Sequence, residues 1–222
     1  MELKTKFSYS YFPISKRDGV ATSAQSHRAL RLKALETSPA SFSSTYEIES
    51  KFTDADWQNL ITAPDRVIFV CAATPLNPDD SPAGEPEWIG QVTLRGPMSE
   101  EAFTLPEESR QPPQKPDEEE ERWQMLSLFT VSEHRGLGLG AKLCQSAMDY
   151  LQAYRPSPQS VQAGNHVTIK FYERLGFASA GMATLAEAII ANGDESLLPD
   201  DLSSAKWSDR FGLIMNTRLL RS

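Results

Sequence analysis

The 222-residue sequence lacks the features on which several classes of protein depend. It has two cysteines, Cys71 and Cys144, and three scattered histidines, so it offers neither a disulfide framework nor metal-ligand spacing. We expect both thiols to be buried and free, and no bound metal. No apolar run approaches the ~20 residues that span a bilayer. Residues 1–13 alternate polar and aromatic side chains, which predicts a strand and not a signal peptide. We therefore expect a cytoplasmic protein with no membrane partner.

Positive charge is also scarce, because the net charge is −8, and this argues against a nucleic-acid partner. Residues 100–121 contain nine acidic and two basic residues, so this segment alone has a net charge of −7. Four prolines in the same segment prevent long regular structure there. Two interpretations remain open. The acidic insert steers a cationic ligand towards a neighbouring cleft, or it is a solvated loop.

The hydrophobic pattern predicts a mixed α+β fold in one domain, residues 1–222, interrupted by the acidic insert at about 100–121. Strands are predicted at residues 7–14, 66–73, 88–95, 123–131, 160–163, 177–182 and 211–219. Helices are predicted from residue 22 or 23 to 35, after 53, and at 140–154, 165–175 and 183–191. The predicted N-caps are Thr22 or Ser23, Thr53 and Asn165, and Gly176 is the predicted terminator of the helix that follows Asn165.

The most informative segment is a glycine-rich sequence between an apolar run, residues 125–131, and a helical pattern, residues 142–151. It reads His134-Arg135-Gly136-Leu137-Gly138-Leu139-Gly140-Ala141. Glycines allow the backbone to approach a ligand, and the N–H groups at a helix N-terminus point at negative charge. We expect this segment to bind a phosphate-bearing ligand.

The same glycines have three other interpretations, of which the sequence excludes one. A tight turn before a core helix would need the same glycines. Gly136-x-Gly138-x-x-Ala141 also fits a degenerate dinucleotide-binding pattern, but residues 160–163 lack the acidic residue expected at the end of the next strand. A nucleotide P-loop is excluded because no Lys-Ser or Lys-Thr follows the glycines.

Three pieces in this order resemble the GNAT superfamily of acetyl-CoA-dependent N-acetyltransferases. They are Arg135-x-x-Gly138-x-Gly140, Asn165 followed by Tyr172, and a terminal strand at residues 213–219. The resemblance is clearest over residues 125–177, and residues 28–47 are similar to a group of small GNAT proteins. It implies a central twisted, mostly antiparallel sheet with a splayed parallel strand pair and about four flanking helices.

The resemblance also implies how acetyl-CoA binds. The backbone amides of the glycine loop would hold the pyrophosphate; this loop comprises Arg135, Gly136, Leu137, Gly138, Leu139, Gly140 and Ala141. The pantetheine arm would pair with the backbone of Phe129 and Val131 like an added strand. An N–H near Leu128 would polarise the acetyl carbonyl. The Asn165 side chain would contact the arm as well as cap its helix.

Tyr172 is the predicted catalytic residue, since the matching tyrosine in relatives protonates the leaving thiolate. The alternative is a core aromatic with a hydrogen-bonded hydroxyl. The base is not identified. Ribosomal-protein acetyltransferases of the superfamily have a glutamate five residues before the motif asparagine, but this position is Ser160, and the strand before the glycine loop has no acid. Glu47 and Glu49 are candidates acting through water, although either could be a solvated surface acid.

These features together predict an N-acetyltransferase. It would move the acetyl group of acetyl-CoA to a primary amine of a small molecule, peptide or protein by direct attack in a ternary complex, with CoA as product. The acceptor is not encoded in a recognisable motif, and a cationic amine is one candidate. A catalytically weak acyl-CoA-binding or regulatory module is the alternative, because the strand acid is missing. A dinucleotide-binding oxidoreductase ranks third. A monomer and a homodimer are both compatible with the sequence.

Overall fold

A computed structural model describes residues 6–105, 107–153, 160–165, 169–191, 195, 198–199, 201–204, 207 and 211–220. Seven strands form one sheet in the order β1-β2-β3-β4-β5-β7-β6. The strands are β1 (Lys6–Pro13), β2 (Arg66–Leu76), β3 (Glu87–Met98), β4 (Glu121–Thr130), β5 (Ser160–Asn165), β6 (Ala178–Thr184) and β7 (Phe211–Leu220). Every strand pair is antiparallel except β4–β5, which is parallel. The predicted mixed, mostly antiparallel architecture is confirmed.

Seven helices are described, more than the four or so expected, because several are only one or two turns long. They are α1 (Val20–Thr37), α2 (Tyr46–Glu49), α3 (Asp54–Thr62), α4 (Glu100–Phe103), α5 (Leu139–Ala153), α6 (Ile169–Arg174) and α7 (Leu185–Ala191). The longest, α1 and α5, were both predicted. The short helices α2 and α4 were not predicted, and α4 lies in the acidic insert.

The core is built on both faces of β2, which explains the unbroken apolar run of that strand. Phe69 and Cys71 belong to a cluster that contains the inner face of α5. Ile68 and Val70 point the other way and pack with Trp57 and other residues of α1 and α3. A strand covered on both faces needs no polar alternation. Cys71 and Cys144 are buried and free, as predicted.

The helix termini confirm some predicted caps and correct others. Thr53 forms a capping box with Asp56 at the start of α3, as the sequence predicted. The prediction of Thr22 or Ser23 as a cap was wrong, because both lie inside α1, which follows Gly19 in the left-handed conformation. Gly176 has φ +86 after α6, as expected of a helix terminator.

The parallel strands β4 and β5 separate part-way along their length. Residues 121–124 of β4 pair with residues 161–164 of β5, and β4 then continues to Thr130 without β5 beside it. On its other side, β4 has a β-bulge against β3. Gln91 pairs with Phe129 and Thr93 with Leu126, so β4 has one extra residue between these two pairs. Ser127 lies in this bulge with φ +56. The predicted splayed pair is therefore present, and its opening coincides with the bulge.

The acidic insert, residues 100–121, packs against the β6 edge of the sheet. Phe103 is buried, and a Cβ at Gly181 of β6 would overlap the Ser109 carbonyl oxygen. The Glu120 side chain is fully buried and accepts from Arg218 Nε of β7 at 2.8 Å. The insert is thus anchored to the fold at several described positions and is more than a solvated loop.

Two searches of the described part of the chain gave negative results. No helix there has the length and apolarity that crossing a membrane requires. No group of three or more His, Cys, Asp or Glu residues there is arranged to hold a metal ion.

Candidate functional site

A cavity of about 510 Å³ lies where β4 separates from β5. Apart from Ala188 of α7, its walls come from four parts of the chain that are distant in sequence. They are residues 38–43 after α1, residues 126–130 of β4, the glycine loop with the start of α5, and Phe171 and Tyr172 of α6. The two motifs singled out in the sequence, the glycine loop and the Tyr172 segment, therefore line one space. The open edge of β4 runs between them.

The glycine loop has the geometry of an anion site. Gly136 has φ +81 and Gly138 has φ +74, backbone conformations that cost free energy for any residue with a Cβ. Apart from the chain neighbours, no protein atom lies within 4 Å of where a Cβ would be at either glycine. The first backbone hydrogen bond of α5 is donated by Lys142 N to Gly138 O at 3.2 Å. The N–H groups of residues 139–141 therefore have no acceptor within the helix. Those amides and the helix dipole favour a negatively charged ligand.

Arg135 is exposed and held by its own loop. Its Nε donates to the Thr130 carbonyl oxygen at 3.0 Å, and its guanidinium carbon lies 5.9 Å from the centre of the Phe129 ring. These contacts place a fixed positive charge at the rim of the cavity, beside the glycines. Phe129 thus contributes its ring to the site.

The register of β4 corrects the prediction that the backbone of Phe129 and Val131 faces the open side of the strand. Val131 N donates to Ile89 O of β3 at 2.8 Å, so this amide faces the neighbouring strand. Backbone groups alternate along a strand, so those of Phe129 face β3 as well. The groups on the open side belong to Leu128 and Thr130, one residue away from the predicted pair. The side chain of Val131 is buried in the core.

Tyr172 is 2% exposed and lines the cavity. Its ring contacts Phe171 and Phe177 edge-on, at centroid distances of 5.0 and 5.4 Å. These rings fix its orientation, so the two interpretations of Tyr172, a core aromatic and a group facing the ligand, describe the same side chain.

Two other predicted residues are placed differently. Leu137 points to solvent with 55% of its surface exposed and contributes only backbone to the loop. Asn165 is the last residue of β5, while the described α6 begins at Ile169. The predicted Asn165 cap and its side-chain contact lie outside the described residues.

A second cavity, of about 440 Å³, adjoins the first. Both are lined by Leu126 and Ser127, so the β4 bulge is their common wall. The second cavity extends from the bulge over β2 and β3 and under α1 and α3. None of residues 100–121 lines either cavity in the described part of the chain. Within the described residues, the acidic insert therefore does not flank the two cavities at the β4 bulge, and its Ser109 and Arg110 line a separate cavity instead.

Arg31 of α1 lies at the boundary of the two cavities. It donates to both carboxylate oxygens of Glu49, at 2.9 and 2.6 Å, and to Ser127 Oγ at 3.3 Å. Its guanidinium also lies 4.7 Å above the Phe42 ring. Arg31 therefore links α1 and α2 to the bulge in β4.

The two candidate bases differ in environment. Glu47 is exposed, and hydrogen bonds from its own backbone and Thr45 lower its pKa. Glu49 is buried, lines the second cavity and is held on both oxygens by Arg31. Glu49 therefore lies in the right region but has a cation bound across its carboxylate.

Several lining residues were missed by sequence reasoning. His134 lines the first cavity and hydrogen-bonds Tyr9 through Nδ1 at 3.1 Å. His27 and Gln91 line the second cavity. The one available signal was a polar residue at a central position of an apolar strand, which is Gln91 in Ile89-Gly90-Gln91-Val92.

Comparison with known families agrees with this geometry. The model of the Acetyltransferase (GNAT) family matches residues 34–177. The chain belongs to this family. The match starts near the end of α1 and includes the β4 bulge, the glycine loop and Tyr172. A search of curated proteins gave no match.

Solved structures of GNAT proteins share the fold at low sequence identity. Arabidopsis thaliana NAA60 in complex with acetyl-CoA is 16% identical, with a TM-score of 0.53 over 96% of this chain and 99% of that chain. The same protein in complex with a bisubstrate analogue is also 16% identical, with a TM-score of 0.51 over 96% of this chain and 99% of that chain. A GNAT-family acetyltransferase from Streptococcus pneumoniae is 12% identical, with a TM-score of 0.54 over 96% of this chain and 100% of that chain.

Proposed function

We propose that this GNAT protein is an N-acetyltransferase that moves the acetyl group of acetyl-CoA to a primary amine, by direct attack in a ternary complex. The observation that supports this most directly is the first cavity. It joins an anion-binding loop, an unpaired strand edge and a buried tyrosine, which are the three contacts a long thioester with a diphosphate requires.

Each part of the cavity has an assigned role in this proposal. The amides of residues 136–141 hold the pyrophosphate, and Arg135 adds a positive charge beside it. The backbone groups of Leu128 and the N–H of Thr130 pair with the pantetheine amides, since the Thr130 carbonyl oxygen accepts from Arg135. The Leu128 N–H is the donor nearest the bulge, where it would stabilise negative charge on the carbonyl oxygen during attack.

Tyr172 supplies the proton that the leaving thiolate needs. The new N–C bond forms as the C–S bond breaks, sulfur takes the phenolic proton, and the proton lost by the amine restores Tyr172 through solvent. A phenol has a pKa near 10 and a thiol about 8.5, so the transfer depends on the cavity holding the two atoms together.

Two measurements test this function. Acetyl-CoA and CoA should raise the unfolding temperature and NADH should not; the stabilisation is about 2.7 kcal/mol at a ligand concentration one hundred times the dissociation constant. Continuous CoA release should then require both acetyl-CoA and an amine. Stabilisation without amine-dependent release would identify the acyl-CoA-binding module instead. Stabilisation by NADH alone would identify the oxidoreductase.

A further inference from the structure

The second cavity contains buried polar atoms that have no hydrogen-bond partner. They are His27 Nδ1, Ser44 Oγ and Gln91 Oε1, and each of these residues is at most 4% exposed. Gln91 Nε2 faces the Ser127 carbonyl oxygen at 3.5 Å, so the amide oxygen is the atom left over. Buried polar groups are nearly always paired in folded proteins. Three unpaired ones around one cavity are therefore available to a ligand that has hydrogen-bonding groups.

Every carboxylate that lines this cavity in the described residues is already engaged. Glu49 is held by Arg31. Asp56 accepts from the backbone and hydroxyl of Thr53, at 2.8 and 2.7 Å. The remaining carboxylate, that of Asp65, lies 3.3 Å from Arg95 Nε.

The other charged and titratable groups around the cavity add no negative charge. Arg66 lines the cavity, and Lys16 donates to the carbonyl oxygens of residues 63 and 64 beside Asp65. Burial and the nearby Arg31 lower the pKa of His27 to about 3, so its imidazole is neutral at pH 7. Glu49, the lining carboxylate whose arginine partner reaches the bulge at Ser127, is therefore not free to compensate an ammonium group there.

This lining has a consequence for the acceptor. An ammonium group that enters a buried site without a partner loses its hydration and gains little in return, whereas a neutral amine can donate to uncharged oxygens such as those of Gln91 and Ser44. The neutral amine is also the nucleophilic form.

We propose that the second cavity binds the acceptor as the uncharged amine, and so prefers weakly basic α-amines of amino acids and peptides to ε-amines and polyamines. This inference rests on the proposed acetyl transfer. The proton has left to solvent before binding, so no base inside the cavity is needed to form the nucleophile, which fits the absence of a strand acid. After attack, the second proton leaves nitrogen as described above.

The expected preference can be estimated from the fraction of each amine that is neutral. An α-amine with a pKa of 7.7–8.0 is roughly one-tenth neutral at pH 7, whereas a lysine ε-amine with a pKa of about 10.4 is neutral to about 4 parts in ten thousand. With equal intrinsic reactivity, kcat/KM at pH 7 should favour the α-amine roughly 300-fold.

The direct test compares alanyl-alanine amide with Nα-acetyl-lysine amide as acceptors between pH 6.5 and 10. We expect kcat/KM for the dipeptide to level off near pH 8, and that for the lysine derivative to rise about tenfold per pH unit to about pH 10. A lysine derivative or spermidine that is preferred at pH 7 would overturn the inference and leave acetyl transfer standing. If no amine is acetylated although acetyl-CoA stabilises the protein, both proposals fail.

A substitution of Arg31 tests the inference by making the cavity more favourable for a charged amine. The Arg31→Gln variant frees the Glu49 carboxylate inside the cavity, so at pH 7 the lysine derivative should gain at least about tenfold relative to the dipeptide. The Arg31→Gln/Glu49→Gln double variant removes that carboxylate and should restore the original ratio. Arg28→Gln, on the same helix but in an exposed pair with Asp54, is the matched control and should leave the ratio unchanged.

The ratio is the readout because Arg31 also contacts Ser127, so kcat with both acceptors falls in Arg31→Gln. Acetyl-CoA stabilisation confirms that each variant is folded. An unchanged ratio in a folded Arg31→Gln would contradict the inference. Should that variant not fold, the pH profiles of the wild-type protein decide the matter.

Discussion

At the scale of single residues, the glycine loop shows why a glycine is needed at each of two positions. Gly136 and Gly138 both have positive φ, and each Cβ position faces open space. Packing within the protein therefore does not require glycine there. The conformation does, because it turns successive amides towards the cavity, and the empty space is where a diphosphate would lie.

We predict that Gly138→Ala weakens acetyl-CoA binding more than it weakens the fold. A left-handed alanine costs about 1–2 kcal/mol, and the added methyl group enters the proposed diphosphate site. Gly19→Ala is the matched control, since Gly19 has φ +62 and open space around its Cβ but lies at the start of α1. Both variants should lose similar thermal stability, while only Gly138→Ala should raise the dissociation constant for acetyl-CoA, by tenfold or more. Equal affinities in the two variants would count against the anion site.

We predict that Tyr172→Phe keeps the fold and the cofactor affinity but loses turnover. Removing the hydroxyl leaves the ring contacts with Phe171 and Phe177 in place. A general acid contributes typically 10²–10⁴-fold, so kcat should fall about 100-fold or more. Acetyl-CoA affinity, measured by titration, should change less than about threefold. A kcat within twofold of wild type would assign Tyr172 to the core alone.

The sequence predicts some residues of the site and not others for a physical reason. Gly138 and Tyr172 lie in local motifs whose spacing is set by one loop and one helix. Arg31, Ser44 and Gln91 meet only through the packing of α1, the following loop and β3, so no spacing in the sequence links them. The side-chain partners of a buried polar residue are likewise decided by tertiary contacts.

At the scale of secondary-structure elements, β4 determines the site. Its apolar run predicted the strand and the family resemblance its parallel partner, but the residues whose backbone faces outward are Leu128 and Thr130, one residue away from the predicted Phe129 and Val131. A strand pattern fixes which side chains share a face, whereas the extra residue in the bulge at Ser127 and the bond from Val131 to Ile89 fix which amides face outward. Neither feature is visible in hydrophobicity.

The ion pair between the buried Glu120 carboxylate and the half-exposed Arg218 is one of the contacts that hold the insert to the sheet, and it gives a prediction about stability. Arg218→Leu leaves the fully buried Glu120 carboxylate without its partner and should destabilise the protein by about 3 kcal/mol. Glu120→Gln keeps a polar group without charge and should cost only about 1 kcal/mol. Both values come from urea unfolding.

The control for this pair is Arg28→Leu, which breaks the exposed contact with Asp54 at 3.3 Å and should cost less than about 1 kcal/mol. If Arg218→Leu were as mild as Arg28→Leu, the Glu120 pair would not anchor the insert.

At the scale of the whole molecule, charge and function are separated in space. Nearly all of the excess negative charge lies in the insert beside β6, whereas the two cavities meet at the β4 bulge, and only the second is lined by carboxylates, each of them engaged. The acidic insert suggested a cationic acceptor because the sequence does not show which part of the fold the insert lies against. Only the fold shows that the acidic segment and the second cavity have different walls.

The buried His27 predicts how the stability of the whole protein changes with pH. Its pKa is lowered from 6.5 to about 3 by burial first and Arg31 second, so the unfolded chain binds a proton at pH values where the native one does not. The free energy of unfolding is therefore unaffected by His27 above pH 6.5 and decreases as the pH falls from 6.5 towards 3, because protonation of His27 then favours the unfolded chain. Between pH 7 and pH 5 this amounts to about 2 kcal/mol. Urea unfolding of His27→Leu should lack that part of the decrease, and equal decreases in the two proteins would show that His27 accepts a proton in the folded state.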